Sequence, residues 1–300
     1  MKQECVVNVP CSATNLRYRA FAPADIPSAH SLSKEFGWAH RQEDWEFSAE
    51  CATGVVAEER GVVIGTALCW KFGTDCASIG HVIVSAEHQG RGIGRKLMET
   101  LLEELGPRTV FLHATPAGLP VYEKMGFRVC GWLNQYQGQV DAPVVVGLLD
   151  SEQLRPATPD DFPVLNELAL RASGFERHGI LSSLFKLGES VVLERGREIV
   201  GFSTLRRFGR GHVIGPVVAP RSGEEHLAKA LIGYWLTGRP GDFVRIDVPS
   251  RASLTDWLGT QGLKRVDTTP KMVRNAPPGA SSVSSGQGCE LYAVISQAML

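Results

Sequence analysis

Apolar residues in the first half of the chain follow two different periods. Continuous or alternating apolar runs predict strands at residues 17–20, 54–59, 62–70, 77–85, 109–114 and 127–132. Leu97, Leu101 and Leu105 recur at every fourth position and predict one amphipathic helix over residues 92–105. Because several strands precede this helix, the pattern predicts an α+β, or mixed α/β, fold and not a regular β-α-β alternation.

Matching residues recur 136 positions apart, so the chain contains an internal repeat. The matches keep the same order in both halves and predict two copies of one domain, because a period this long exceeds that of a solenoid unit. We expect one domain over residues 1–148 and another over residues 149–300. The matched pairs include Arg19 and Arg155, Asp25 and Asp161, Glu58 and Glu194, Gly65 and Gly201, and Gly126 and Gly262.

Three other segments carry structural expectations. Residues 135–143 are polar and predict a turn before a strand at residues 144–149. Residues 276–288 are rich in Pro, Gly and Ser, which predicts a mobile loop before a final strand at residues 290–296. The apolar residues 227–236 predict a core helix in the second half.

Composition and charge narrow the classes of partner. The 300 residues carry a net charge of −1 and are 43% apolar, which is typical of a globular protein and predicts no surface for nucleic acid or an anionic membrane. No apolar run reaches the roughly 20 residues that cross a bilayer, so we expect neither a membrane span nor a secretory signal. The seven cysteines form no C-x-x-C pair, which favours reduced thiols, a cytoplasmic location and no metal site.

A glycine-rich loop separates the predicted strand at residues 77–85 from the amphipathic helix. Gly90, Gly92 and Gly94 allow a tight turn that directs backbone N–H groups at an anion, and the helix N-terminus adds partial positive charge. These features predict a diphosphate site. Arg95 occupies the place of the third glycine of the Rossmann pattern, and no Gly-Lys-Ser/Thr follows, so neither the Rossmann nor the P-loop pattern fits.

The order Gln89-x-x-Gly92-x-Gly94 between a strand and a helix resembles the signature of the GNAT superfamily of acyl-CoA N-acyltransferases. The resemblance implies two tandem domains, each a twisted, mostly antiparallel sheet with a splayed strand pair and flanking helices. It also implies acetyl-CoA as co-substrate, with the loop at the pyrophosphate and the preceding strand along the pantetheine arm. The implied binding residues are Val82, Ile83, Val84, Gln89, Gly90, Arg91, Gly92, Ile93, Gly94 and Arg95.

A second motif of the same superfamily stands downstream as Tyr122-x-x-x-Gly126-Phe127. The resemblance implies that the Tyr122 hydroxyl protonates the departing CoA thiolate; the alternative is an ordinary core tyrosine. Thr115 replaces the asparagine that is common seven residues before this tyrosine, and its hydroxyl can still cap the helix. The Ala-Thr-Pro sequence at this point resembles a subgroup of two-domain proteins with a regular first module and a divergent second one.

The sequence does not identify the general base of the implied reaction. Amide formation from a thioester requires a neutral amine, a stabilised oxyanion and a proton for the thiolate. Backbone N–H groups near Val84 would stabilise the oxyanion. Candidate bases are His81, Glu87 and His113, near the ends of predicted strands. A water chain to a carboxylate and direct attack by the neutral fraction of the amine are equal alternatives.

The acceptor is expected to be an amine, as a small molecule or alternatively on a protein, and the assembly a monomer or homodimer. Aromatic and acidic residues of the first half suit a cationic amine through cation–π contacts and ion pairing; the alternative is an ordinary core beside a solvated helix. These residues are Trp38, Asp44, Trp45, Glu46, Trp70 and Asp75.

The second copy lacks both motifs. Residues 221–226 contain one glycine and two adjacent glutamates, which repel a diphosphate, and Leu258 stands where the first copy has Tyr122. We expect the second domain to bind no CoA, to buttress the first domain and to contribute a wall of the acceptor site. Its candidate polar residues are His178, Arg206, Arg207, His212 and Asp247.

Three functions compete at this point. An N-acetyltransferase explains both motifs. A non-catalytic CoA-binding sensor needs no proton donor beside the sulfur, and a nucleotide-binding protein leaves the motif at Tyr122 unexplained.

Overall fold

The computed structural model describes residues 15–140, 146–221, 225–250, 254–277 and 288–300. The first half contains β1 (Leu16–Ala20), α1 (Ile26–Glu35), α2 (Gln42–Glu50), β2 (Thr53–Glu59), β3 (Val62–Phe72), β4 (Cys76–Val84), α3 (Ile93–Leu105), β5 (Thr109–His113), α4 (Leu119–Lys124) and β6 (Arg128–Gln139). The second half contains β7 (Glu152–Pro156), α5 (Phe162–Ser173), α6 (His178–Leu187), β8 (Glu189–Arg195), β9 (Glu198–Phe208), β10 (Gly211–Pro220), α7 (Glu225–Thr237), β11 (Phe243–Pro249), α8 (Thr255–Thr260), β12 (Lys264–Arg274) and β13 (Cys289–Ala293). Up to β12 the second half repeats the order of the first.

The repeated residues build the same ion-pair cluster in each half. Arg19 donates hydrogen bonds to Asp25 at 2.7 and 2.8 Å and to Glu58 at 2.8 Å. Its equivalent, Arg155, makes the same three contacts at 2.7, 2.9 and 2.8 Å. Each aspartate also accepts a backbone N–H just before the first helix of its half, so the cluster joins that helix to the sheet in both copies.

The described strands form one continuous sheet in the order β1-β2-β3-β4-β5-β12-β6-β11-β10-β9-β8-β7, with β13 paired to β10. Neighbours are antiparallel except for β4 with β5 and β10 with β11, which are parallel. This mostly antiparallel sheet confirms the predicted mixed α/β class. Strand β12 of the second half lies between β5 and β6 of the first half, so the two halves exchange a strand. The division at residue 148 stays a prediction.

Helices from both halves share the main core. The largest hydrophobic cluster joins α1 and α2 of the first half to α5 and α6 of the second. Helix α3 buries Leu97, Leu101 and Leu105 against the first half of the sheet, as the periodicity predicts, and α7 packs in the same way on the second half. Within the described ranges, no helix is long and apolar enough to cross a membrane.

The parallel strands β4 and β5 separate after three paired residues. Their pairing ends at Ser78 opposite Phe111, while β4 continues to Val84 without β5 beside it. This V-shaped gap, called the β4–β5 cleft below, ends at the glycine-rich loop before α3. The strand pair therefore splays in the first half.

Strands β10 and β11 separate in the same way after Ile214 and Ile246. Here the gap is occupied, because β13 pairs antiparallel with the far end of β10, from Val217 onward. The Val294 N–H also donates to the Asp247 carbonyl of β11 at 3.0 Å. The second half therefore fills its own cleft with the last strand of the described chain.

The prediction of a polar turn at residues 135–143 is wrong for residues 135–139. Strand β6 continues to Gln139 and is paired on both edges, with β12 and with β11, so its backbone groups are satisfied despite the polar sequence. The predicted strand at residues 144–149 is wrong for 146–149, which form no strand, and 141–145 lie outside the described residues. The final strand is shorter than predicted, and the predicted mobile loop lies outside the described residues over 278–287.

Candidate active site

A bulge in β4 shapes the entrance to the β4–β5 cleft. The pairing register between β3 and β4 shifts between Thr66 and Leu68. Opposite this shift, His81 adopts a left-handed backbone conformation with φ of 54°, which is uncommon for a residue with a side chain. The Thr66 hydroxyl donates to the His81 carbonyl at 2.9 Å and helps to hold the bulge. Bulges re-aim side chains, and this one lets Gly80 and His81 both face the cavity described below.

The end of β4 presents a main-chain donor to the cleft. The Ser85 N–H donates to the Ile64 carbonyl of β3 at 2.9 Å. Because backbone groups alternate between the two edges of a strand, the Val84 N–H points away from β3 and into the cleft. Val82 and Val84 are half-buried, whereas Ile83 packs into the core.

The loop between β4 and α3 exposes main-chain donors that no side chain covers. Gly90 and Gly92 have φ of 75° and 78°, and a Cβ at either position would meet no atom within 4 Å. Gly92 is the N-cap of α3, and no side chain caps the helix there. The N–H groups of the first helical turn, starting at Ile93, therefore remain available to an anion.

The long polar side chains of the loop bind protein groups instead. Arg91 donates to Glu59 at 2.6 and 3.3 Å. Arg95 is largely exposed and donates to Glu99 one turn along α3 at 2.8 Å. The Gln89 amide donates to the carbonyl of the last β4 residue at 3.2 Å. The part of the loop that can bind an anion, called the anion cradle below, therefore consists of backbone N–H groups around Gly90, Gly92 and the start of α3.

Tyr122 is a buried residue of α4. Its ring lies 6.1 Å from that of Phe127, and a Cβ on Gly118 would lie 2.7 Å from the ring, so glycine leaves the room that the phenol needs. Burial raises the pKa of Tyr122 to about 12, so the hydroxyl keeps its proton at pH 7. The Thr115 hydroxyl accepts the Gly118 N–H at 3.2 Å in the turn before α4. Gly118 itself is the N-cap of α4, so Thr115 stabilises this turn and does not cap the helix directly.

A cavity of about 610 Å³ adjoins the cleft and is lined by both halves of the chain. Residues 79–81 of β4 and His113 at the end of β5 form the side next to the cleft. Strands β9, β11 and β12 form the wall from the second half, and residues 295–298 lie between the two. The Ser78 hydroxyl donates to the Ala298 carbonyl at 2.7 Å, which fixes this segment against β4.

Two predicted base candidates, His81 and His113, line the cavity. The His113 Nδ1 lies 2.6 Å from the Gln297 carbonyl, so it carries the proton and leaves Nε2 as an acceptor. The His81 Nε2 is buried without a partner, and its ring lies 4.4 Å from Trp45 and 5.5 Å from Trp70. Burial lowers the pKa of His113 to about 3 and that of His81 well below its usual value, so both rings are neutral at pH 7.

Only some of the remaining predicted residues line the cavity. Glu87 lies exposed on the loop and does not line the cavity. Trp38 and Asp44 line it, whereas Glu46 and Asp75 are exposed elsewhere. Of the second-half candidates, the cavity includes Arg206 and Asp247 and does not include His178, Arg207 and His212.

Several cavity residues were not predicted. The His40 ring lies 5.3 Å from both the His81 ring and the Phe208 ring, and so links the two walls. Its position in the sequence between Trp38 and Trp45 is the signal that could have identified it. Gln135 and Gln137 come from β6, where we expected a turn. No local pattern indicates their place, because it depends on pairing with strands more than 100 residues away.

A splayed strand pair, a glycine-rich loop at a helix N-terminus and an adjoining cavity are the features of an acyl-CoA N-acyltransferase. The acetyltransferase (GNAT) family model matches residues 19–127, and an acetyltransferase (GNAT) domain model matches residues 165–284. The uncharacterized N-acetyltransferase YitH of Bacillus subtilis (strain 168) is 32% identical over 228 residues, which cover 74% of this chain and 76% of that protein. The chain belongs to the GNAT family and contains two GNAT domains in tandem.

Solved structures share this fold. A provisionally named acetyltransferase from Pyrococcus horikoshii superposes with a TM-score of 0.76 at 18% identity and covers 100% of both chains. A tandem GNAT protein from the clavulanic acid biosynthesis pathway superposes with a TM-score of 0.64 at 16% identity, over 87% of this chain and 99% of that one. Family membership supports acyl-CoA N-acetyltransferase activity in general, toward an amine acceptor.

Proposed function

We propose that the protein transfers an acetyl group from acetyl-CoA to the nitrogen of a primary amine by direct attack. The nitrogen forms a bond to the acetyl carbon, the carbon–sulfur bond breaks, the nitrogen loses one proton and the sulfur gains one. The observation that carries this proposal is an uncovered backbone cradle at the end of the β4–β5 cleft, next to a cavity that contains neutral imidazoles.

The residues of the first half fit acetyl-CoA. Free N–H groups at the start of α3 and the uncovered Gly90 and Gly92 suit its pyrophosphate, and the half-buried Val82 and Val84 suit the pantetheine arm. The Val84 N–H, which points into the cleft, is the proposed donor to the thioester carbonyl oxygen. When bound, acetyl-CoA supplies the activated acetyl thioester.

Tyr122 is the proposed proton donor. Its raised pKa keeps the hydroxyl protonated until a strong base, such as a thiolate leaving group, is produced next to it. Thr115 and Pro116, in the short turn that leads into α4, line the cavity. Helix α4 therefore begins next to the cavity in which the amine is proposed to bind. Leu258 of α8, at the equivalent position of the second half, has no proton to give.

His113 and His81 are the proposed hydrogen-bond acceptors for the amine N–H, because pKa values lowered this far make both rings weak bases and favour direct attack by the neutral amine. Both are neutral, and His113 is held through Nδ1 so that its Nε2 lone pair is available. A small-molecule amine suits a cavity of about 610 Å³. Free thiols at Cys51, Cys69 and Cys76 suit the proposed cytoplasmic location.

The test is Tyr122→Phe, measured by thiol release and by calorimetric binding of acetyl-CoA. We expect kcat to fall by about 100-fold because the proton donor is lost, with acetyl-CoA affinity changed less than about twofold. Tyr234→Phe, on the exposed face of α7, is the matched control and is expected to behave as the native protein. Equal losses of affinity and turnover would contradict the role of Tyr122. If the protein binds acetyl-CoA but releases no CoA thiol in the presence of any amine, it is a CoA sensor.

A further inference from the structure

Arg206 of β9 carries a buried positive charge at the wall of the cavity. Its side chain is 3% exposed, and burial lowers its pKa to about 10, so it remains protonated at pH 7. One terminal nitrogen donates to Asp44 and to the Arg207 carbonyl, each at 3.3 Å. Its Nε is buried without a partner. A buried N–H without an acceptor is costly, so a function for this group is expected.

Arg206 shares the Asp44 carboxylate with other donors. Arg41 also binds this carboxylate through two side-chain nitrogens, at 3.1 and 3.2 Å, and through its backbone N–H at 2.8 Å. The Gly209 N–H donates to it as well, at 3.0 Å. Two guanidinium groups therefore share the Asp44 carboxylate, and Arg41 also lies 3.9 Å from the exposed Glu43. Arg206 has only the single 3.3 Å contact to this carboxylate, and its Nε has no acceptor.

The other charged residues of the cavity are two arginines and two aspartates. Arg245 and Asp247 form a two-point ion pair at 2.7 and 3.0 Å. Arg210 and Asp267 have opposite charges, and both are exposed. Among these charged residues, the buried donor without an acceptor is therefore that of Arg206, on the wall that the second half contributes.

We propose that the acceptor amine also carries a small oxyanion, a carboxylate or a phosphate, which binds at Arg206 while the amino group faces His81 and His113. This inference rests on the proposed function. The Arg206 Cζ lies 5.1 Å from the Phe208 ring, and the His40 ring lies between Phe208 and His81. One cavity can therefore receive both the oxyanion and the amino group of the acceptor. A guanidinium with a free N–H suits a planar or tetrahedral oxyanion.

The experiment compares matched acceptors with the native protein. Each ω-amino acid from glycine to ε-aminocaproate is paired with the alkylamine that lacks the carboxylate, and with the corresponding aminoalkyl phosphate. Thiol release from acetyl-CoA gives kcat/KM for each compound. We expect at least one anionic acceptor to exceed its matched alkylamine by about tenfold or more, and the carboxylate and phosphate series identify which oxyanion is bound.

Arg206→Gln is expected to remove this preference while acetyl-CoA affinity stays within about twofold of the native value. Arg206→Lys keeps the charge and is expected to recover part of the preference. Arg207→Gln, on the exposed side of the same strand, is the matched control and should keep it in full. The comparison of acceptors uses the native protein, so it stands even if an Arg206 variant does not fold.

Equal kcat/KM for anionic and matched neutral amines would overturn the inference, and so would a preference that survives in Arg206→Gln. In both cases the amines are still acetylated, so the proposed function would stand. Acetylation of none of the compounds by a protein that binds acetyl-CoA would overturn the inference together with the proposed transfer.

Discussion

The two halves of the molecule contain the same V-shaped gap between parallel strands, and they use it in different ways. In the first half the gap between β4 and β5 leads to a loop with uncovered backbone donors. In the second half β13 occupies the gap between β10 and β11 and pairs with β10. A duplicated fold thus keeps one cleft for a ligand and closes the other with its own chain.

This difference agrees with the local sequences. The first half keeps Gly90 and Gly92 at positive φ, whereas the second has two adjacent glutamates in the corresponding segment, which lies only partly within the described residues. The strand that closes the second cleft also contributes to the first site. After β13 the chain continues into residues 295–298, which form part of the cavity beside the open cleft. The second half therefore contributes to one site instead of forming another.

The largest expected effect comes from a carboxylate placed in the open cradle. Gly92→Glu puts a negative charge beside the proposed pyrophosphate site, and we expect acetyl-CoA affinity to fall by about 100-fold or more by calorimetry. Gly106→Glu, at the other end of α3, is the matched control, since Gly106 also has positive φ and open space around its Cβ position. Similar losses in both variants would mean that helix damage and not the cradle explains the effect.

A smaller effect is expected where residues 294–300 meet β4. A Cβ on Gly80 would lie 2.6 Å from the Ala298 Cβ, so Gly80→Ala forces the segment away from the strand. We expect the free energy of unfolding to fall by about 1–3 kcal/mol in urea titrations. Gly259→Ala in α8 meets no atom within 4 Å and should be neutral or stabilising. An unchanged stability in Gly80→Ala would contradict a stabilising contact between this segment and β4.

The smallest effect concerns pH. The pKa of His113 is lowered to about 3 in the folded protein, so the unfolded chain binds its proton first as pH falls below about 6.5. Stability contributed by the neutral ring is complete above pH 6.5 and is lost as pH falls toward 3. Between pH 7 and 5.5 we expect this histidine to account for about 1 kcal/mol of the decrease in unfolding free energy.

The pH prediction is tested with His113→Gln, which should reduce the decrease by that amount in urea titrations at the two pH values. His178→Gln, which changes an exposed histidine, should leave the decrease unaltered. A decrease of native size in His113→Gln would contradict the burial of a neutral ring at this position.

Local features of the fold and site were predictable, and long-range ones were not. The apolar stripe of α3 and the glycine loop that ends at its N-terminus are short-range patterns, and each forms the element that it predicts. The repeat of Arg19 as Arg155 predicts two copies of one domain, but the ion-pair clusters that these arginines form were not predicted. The exchange of β12 joins residues more than 100 positions apart, for which no periodicity gives a signal. The left-handed backbone of His81 depends on a register shift with β3, and the role of residues 295–298 depends on the filled second cleft.

Hydrogen–deuterium exchange with and without acetyl-CoA distinguishes the two clefts most directly. If backbone N–H groups of the first half bind the cofactor, its addition slows exchange in peptides that cover residues 82–96 and leaves those of β10 and β13 unchanged. Slower exchange in β10 or β13, or no change over residues 82–96, would contradict a single cofactor site formed by the main chain of the first half.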